Sequence, residues 1–321
     1  MTVLDLQNNN IQLHEDEIRA LSTATALGCF DGVHIGHAAL LQKACSLARE
    51  TDTAPAVWTF LNPPFPGRAK QLTPLSEKLA LFASHDIRYA MLFDFADVRN
   101  YEPEPFVREI LVGACHTRAC VCGFNFRFAK NASGTPDDLH HALAAHGAAL
   151  HVLPPVQWDG APVSATRIRA FLASGDVASA AYCLGRYHAL SLPVVHGKEL
   201  GRTIGVPTIN QNPTDALQLP ANGTYATAVT IDGISYPSVT NIGIRPSVTG
   251  DDHIPNAETH IIGYRGWLYD RPVTVVFRRR LRDEIRFPSL DALKAQITCD
   301  IRASVDTFER DIALFQIHEK E

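Results

Sequence analysis

A chain of 321 residues is long for one compact core and comfortable for two, each able to bury its own interior. Its 29 Lys and Arg against 34 Asp and Glu leave a net charge of -5 with no basic block, which argues against a nucleic-acid groove or an anionic membrane surface. Seven cysteines without C-x-x-C pairs suit reduced thiols in a core, and no N-terminal h-region or apolar run approaches the ~20 residues of a membrane span, so composition points to a soluble cytoplasmic protein.

The first recognisable element, Leu21 to Phe30, has the make-up of a short buried strand; Gly28, Gly32 and Gly36 break it, and Ala38 to Glu50 reads as a helix. The junction between them spells G-C-F-D-G-V-H-I-G-H. A strand, a tight turn and a helix N-terminus aim free backbone N–H groups and the positive end of a helix dipole at an anion, and phosphate is the usual guest. His34 and His37, three residues apart across a glycine, can both face one side of the turn and donate hydrogen bonds to a polyphosphate. H-x-x-H without a third ligand nearby is a poor zinc signature.

Ala54 to Phe60 reads as a second strand running into a proline-rich loop, Leu61 to Gly67; Leu75 to Ser84 has helical spacing and Tyr89 to Phe93 is a third strand. Phe106 to Gly113 follows as helix and Ala119 to Gly123 as a fourth strand. This alternation implies a mostly parallel sheet with helices on both faces, in which ligands sit beyond the carboxyl ends of the strands. The loop after the fourth strand, G-F-N-F-R-F-A-K-N-A-S-G, supplies Asn125, Arg127 and Lys130 to the same cleft. Val163 to Arg169, after the strand-like His151 to Val156, adds Ser164 or Thr166 as a helix cap, with Arg167 and Arg169 in the first turn. Two helices, Thr166 to Ala173 and Val177 to Leu184, then close the domain.

From about Gly185 the pattern changes to short strands with turns: Pro193 to His196, Thr224 to Ile231, Ser235 to Ile242, Ala257 to Tyr264 and Pro272 to Leu281. These predict an antiparallel barrel, and Ser289 to Phe315 a long amphipathic helix packed on it, with Leu290, Leu293, Ile297, Ile301, Val305, Phe308 and Ile312 inward. Within this half, G-K-E-L-G-R-T-I-G-V-P-T-I-N places Gly197, Gly201 and Gly205 four residues apart. Such glycines let backbone approach phosphate, Lys198 and Arg202 add charge, and Thr208 with Asn210 offers oxygen ligands suited to magnesium. It is not a P-loop.

These stretches carry a resemblance. H-I-G-H resembles the nucleotidyltransferase signature shared with class I aminoacyl-tRNA synthetases, but no K-M-S-K-S-like loop accompanies it; Met1 and Met91 stand in other contexts. F-D-G-V-H-x-G-H, the G-F-N-F-R-F stretch and V-S-A-T-R-I-R together resemble the bifunctional riboflavin kinase/FMN adenylyltransferase family, also called FAD synthetase. The glycine-rich loop of the second half, N-I-G-I-R-P-S at 241–247 and Glu258-Thr259-His260 resemble its riboflavin kinase part.

The resemblance implies a Rossmann-like α/β nucleotidyltransferase domain over 1–186 and a β-barrel kinase domain with a C-terminal helix over 187–321. It implies catalytic roles for His34, His37 and Glu258, the last as base for the ribityl 5′-hydroxyl, and magnesium ligands in Thr208 and Asn210. Nucleotide or flavin contacts are implied for Gly28, Phe30, Asp31, Gly36, Asn125, Arg127, Ser164, Thr166, Arg167 and Arg169. In the second half they are implied for Gly197, Gly201, Arg202, Gly205, Pro207, Asn241 and Arg282. Riboflavin, FMN and ATP are the implied small-molecule partners, Mg2+ the cofactor, and a weak homo-oligomer is left open.

The chain departs from the family pattern at Pro63, where a histidine is usual, at Ala129, where a glycine follows F-R-F, at Ala132 and Ala165, and at Gly263-Tyr264, where D-F is usual. Each of the first four removes a polar group or a flexible backbone point near phosphates. Two alternatives to the bifunctional enzyme therefore stand: a riboflavin kinase with weakened or lost adenylyl transfer, and a non-catalytic flavin-binding regulator.

Overall fold

The computed structural model describes residues 1–5, 21–62, 69–197, 201, 205–246 and 253–318. Pro63, Pro64, Lys198, Arg202 and Ser247 lie outside them. The chain divides into two compact units, Met1–Ala165 and Thr166–Glu321.

The first unit is an α/β layer. Its elements are β1 (Thr2–Asp5), β2 (Thr23–Leu27), α1 (Ile35–Glu50), β3 (Ala54–Phe60), α2 (Leu75–Ser84) and β4 (Tyr89–Phe93). They continue as α3 (Phe106–Ala114, a π-type helix), β5 (Thr117–Gly123), α4 (Pro136–Ala145), β6 (Ala149–Leu153) and a two-residue hairpin, β7 (Gln157–Trp158) with β8 (Ala161–Pro162). The six-stranded sheet runs β1-β4-β3-β2-β5-β6 and every pairing in it is parallel. Both faces are covered. Leu27, Trp58, Met91 and Cys120 join Phe106 and Leu139 on one side, while Ala26, Val57 and Val121 join Leu41, Phe30 and Phe82 on the other. Double burial is why these strands read as continuous apolar runs rather than alternating ones.

Chain order reverses direction at the middle of this sheet: β3 and β4 extend from one side of β2, β5 and β6 from the other. That is a topological switch point, where an open parallel sheet leaves a crevice at its carboxyl edge. The loops after β2, β3 and β5 all leave neighbouring strands at that edge. α4 was absent from the sequence reading although Thr135 starts it with a reciprocal cap: the Thr135 hydroxyl accepts from Asp138 N, and the Asp138 carboxylate accepts from Thr135 N.

The second unit comprises α5 (Ala165–Ser174, whose first residue falls in the first unit), α6 (Val177–Leu184), β9 (Ala189–Pro193), β10 (Ile209–Gln211), β11 (Gly223–Ile231), β12 (Ile234–Pro246), β13 (His253–Ile261), β14 (Pro272–Arg282) and α7 (Leu290–His318). Its strands follow the order β10-β13-β12-β11-β14-β9, and a bridge between Val195 and Asn210 joins the two edges into a nearly closed antiparallel barrel. The expected strand at Pro193 to His196 sits earlier, at 189–193, and β10 is too short for a sequence pattern to reveal. α7 starts where Ser289 accepts a hydrogen bond from Ala292 N at 3.2 Å. Among its described side chains the most buried are polar, Asp300 and Ser304, whereas Leu290, expected inward, is exposed.

Two candidate phosphate sites

The first site is the turn from β2 into α1. The helix begins three residues earlier than the sequence suggested, because His34 caps it: its Nδ1 accepts a hydrogen bond from the His37 backbone N–H at 3.2 Å. A neutral His34 therefore carries its proton on Nε2. The rings of His34 and His37 stack at 3.7 Å between centroids, 13° from parallel, and Phe30 lies against His37 at 5.0 Å. Gly36 leaves room for this stack, since a Cβ there would lie 3.2 Å from the His34 ring and crowd it. Burial, and then the neighbouring His34 and Lys78, push the His37 pKa well below its ordinary value. His37 is thus a neutral imidazole, and its Nδ1 finds no hydrogen-bond partner among the described residues. The expected pair of donors is here, but as neutral groups, one of which also caps the helix that holds it.

The turn itself is strained. Phe30 and Val33 take left-handed backbone angles, φ 51° and 37°, which cost non-glycine residues of order 1–3 kcal/mol and cluster at functional sites. Contacts that hold the turn come from β3, from α2 and from the segment leading into α2. The Cys29 carbonyl accepts from Thr59 Oγ1 at 3.2 Å and from Lys78 Nζ at 3.0 Å. Asp31 Oδ1 accepts from the backbone N–H of Leu72 at 3.0 Å and of Thr73 at 3.4 Å. Sequence reasoning brought Thr59 to Pro64 to the cleft as a strand-end loop but missed Leu72, Thr73 and Lys78, whose part depends on contacts 41 to 49 residues away.

At the end of β5, Asn125 and Arg127 are exposed in a loop closed by the Phe128–Gly134 pairing. Ala129, the departure from glycine, has φ 63° and ψ -173°, a region open essentially to glycine alone; Ala132 is also left-handed at φ 57°. The Lys130 ammonium lies 3.5 Å from Glu102. At the next junction Ser164 directly precedes α5 and Thr166 lies in its first turn; Arg167 extends over the Phe171 ring at 5.3 Å, and Arg169 is one turn along.

The second site is a row across the barrel. Cross-strand register sets Glu258 of β13 directly opposite Asn210 of β10 on one side and Asn241 of β12 on the other. Asn241 in turn faces Thr224 of β11, and Thr224 faces Arg282 of β14. Directly opposed residues share a face, so one line of side chains crosses five strands. Four of its five members are residues expected from sequence; Thr224 is the addition, its Oγ1 donating to Asn241 Oδ1 at 3.4 Å. Glu258 Oε1 accepts from Asn256 Nδ2 at 3.1 Å.

The glycine loop meets this row at its β10 end. A Cβ on Gly197 would collide with the Asn210 carboxamide, and one on Gly201 with the Val206 carbonyl, so only glycine lets the loop lie this close. Gly205 is left-handed at φ 82°. His260, two residues beyond Glu258, donates from Nδ1 to the Pro207 carbonyl at 2.8 Å and ties the loop to the strand that carries the glutamate. Asn210 lies in β10 and Thr208 immediately precedes that strand. Neutral oxygens of this kind fit magnesium, which takes few protein ligands and relies on water and substrate phosphates. Arg282 points its guanidinium at Asp300, at 2.9 Å from Nη2, and over the Phe287 ring at 5.7 Å.

Geometry and sequence together define the class first: a parallel-sheet unit with an H-x-G-H turn at its switch point, followed by a kinase-type barrel. A family model for FAD synthetase matches residues 17–167 and one for riboflavin kinase matches 184–308. The bifunctional riboflavin kinase/FMN adenylyltransferase of Pseudomonas fluorescens is 35% identical over 87% of this chain and 90% of its own. That of Escherichia coli K12 is 36% identical over 88% and 94%. The chain belongs to the bifunctional riboflavin kinase/FMN adenylyltransferase family. In three dimensions it is similar to a protein from Streptococcus pneumoniae described as a macrolide-efflux protein, with TM-score 0.83 and 26% identity over 95% of this chain and 99% of that one. Among the described residues of this chain, no helix is long and apolar enough to cross a membrane.

Proposed function

We propose that this protein phosphorylates riboflavin to FMN with ATP and then adenylylates FMN to FAD, releasing pyrophosphate. The observation that carries this reading is the match of one chain, over nearly its whole length, to relatives named for both activities. We put the functional boundary at 186/187, just after α6; the FAD synthetase match ends at 167 and the riboflavin kinase match begins at 184.

In the kinase reaction Glu258 accepts the proton of the ribityl 5′-hydroxyl as its oxygen attacks the γ-phosphorus and ADP leaves. Asn256 orients that carboxylate, and the Gly197–Gly205 loop lets backbone N–H groups approach the phosphates. Thr208 and Asn210 would hold a magnesium ion, which when bound supplies charge neutralisation to the β- and γ-phosphates. In the second reaction an FMN phosphate oxygen attacks the α-phosphorus of ATP and the bond to pyrophosphate breaks. His34 and His37 donate from neutral rings to the non-bridging oxygens, aided by the N-terminal dipole of α1. Asn125 and Arg127 flank the nucleotides. Ser164, Thr166, Arg167 and Arg169 receive the leaving pyrophosphate at a helix start.

Purified protein with riboflavin, ATP and magnesium, followed by chromatography, tests this. Glu258→Ala is expected to abolish FMN formation, and His34→Ala/His37→Ala to spare FMN while removing FAD. Kinase turnover surviving in Glu258→Ala would remove the base assignment. One observation favours a second reading, kinase without adenylyl transfer: Ala129 stands in a glycine-only conformation beside the nucleotide loop. That reading predicts FMN accumulating with no FAD.

A further inference from the structure

The H-x-G-H turn is built from residues that resist its shape, and contacts from outside the motif help to hold it. Phe30 and Val33 are both left-handed, one aromatic and one β-branched, and within the turn the Val33 N–H donates to the Phe30 carbonyl at 3.2 Å while the Phe30 ring lies against His37. Outside the turn, support comes from Thr59 of β3 and, more extensively, from α2. Phe82 packs its ring edge-to-face on Phe30 at 5.3 Å, and Lys78, four residues earlier and so on the same helix face, donates its ammonium to the Cys29 carbonyl at 3.0 Å. The segment entering α2 adds the Leu72 and Thr73 N–H groups on Asp31. One helix and its lead-in thus grip Cys29, Phe30 and Asp31, three consecutive residues of the turn.

We propose that Lys78 is a positioning residue for adenylyl transfer: by holding the Cys29 carbonyl it keeps the Gly28–Val33 turn in the shape that presents His34 and His37. This rests on the adenylyl-transfer reading of the first unit. A charge is more than the contact requires, since Thr59 already donates a neutral hydroxyl to the same carbonyl. The ammonium is half-buried, and that burial lowers its pKa against the opposing pull of Asp31 and Cys29, so the cation is kept there at a cost. It has a second effect, because its charge adds to burial and to His34 in disfavouring protonation of His37. Lys78 therefore helps to fix the position of the imidazole pair and adds, after burial and His34, to what keeps His37 neutral, without contact with the reacting atoms.

The test measures kcat and KM for ATP in the conversion of FMN to FAD by wild type, Lys78→Met and Lys78→Arg, with conversion of riboflavin to FMN by the same preparations as control. Lys78→Met is expected to lower kcat for FAD formation by about ten- to a hundred-fold, the worth of one charge-assisted hydrogen bond, with KM for ATP changed less than about three-fold. Lys78→Arg, which keeps charge and donor, is expected to recover most of the loss, and FMN formation to be unchanged in both. Should Lys78→Met fail to fold, Lys78→Gln carries the test, with a loss of the same direction. FAD formation at the wild-type rate in Lys78→Met or Lys78→Gln would overturn this inference alone. A wild type that makes FMN and no FAD would overturn the adenylyl reading and this inference with it.

Discussion

Two histidines in different units, His188 buried and His37 partly so, obey the same electrostatics with different consequences. His188, in the second unit, is enclosed with its Nε2 unpartnered among the described residues, and burial, then the charge of Arg186, pushes its pKa down to about 4. The unfolded chain titrates near the ordinary ~6.5. Between those values the unfolded state binds the proton and the folded state does not, so stability is full above about pH 6.5 and is lost as pH falls toward 4. From pH 7 to pH 5 the loss should be about 2 kcal/mol, measured by urea unfolding of the barrel, and His188→Gln should flatten that slope. His37 follows the same sign in the first unit: FAD formation should fall as pH drops below the range in which the imidazole is neutral. At Ala129 the backbone is the issue. Replacing it with glycine should stabilise the first unit by about 1 kcal/mol, read as a higher unfolding midpoint, and should not diminish FAD formation. A wild-type midpoint in Ala129→Gly would show that the loop bears no strain.

Among the elements, α7 shows what sequence periodicity leaves out. Its spacing correctly announced a long helix, but it is joined to the barrel by polar groups: Arg282 of β14 grips the buried Asp300 through Nε and Nη2, Gln296 donates to the same carboxylate, and the Ser304 hydroxyl donates to the Ser238 carbonyl at 2.7 Å. A hydrophobic pattern cannot encode an ion pair between residues 18 positions apart. Because Asp300 is buried, Arg282→Ala should destabilise the barrel by about 3–5 kcal/mol, whereas Arg282→Met/Asp300→Leu should cost less than the single change. Additive losses in denaturant unfolding would contradict that coupling. Where packing follows composition the sequence was legible: Ala54–Phe60, Leu75–Ser84 and Tyr89–Phe93 begin and end where their apolar runs do. It was illegible where elements are too short to show a period, as in β10, or where a cap rather than a hydrophobic stripe marks the start, as at Thr135.

At the scale of the molecule, the motifs forecast which residues belong together in the barrel, and the register supplied the reason: Asn210, Glu258, Asn241 and Arg282 come from four strands yet fall on one line. What no motif forecast is the grip of α2 on the first turn, since Lys78 lies in a helix with an ordinary amphipathic pattern. Two phosphate sites on one chain make a specific demand on the fate of ATP, because one reaction transfers its γ-phosphorus and the other its α-phosphorus. The most direct measurement supplies riboflavin with ATP labelled at one position or the other and follows the label into separated flavins. The account predicts γ-label in FMN and in FAD, and α-label in FAD alone, appearing after FMN. Accumulation of γ-labelled FMN with α-label in no flavin would contradict it.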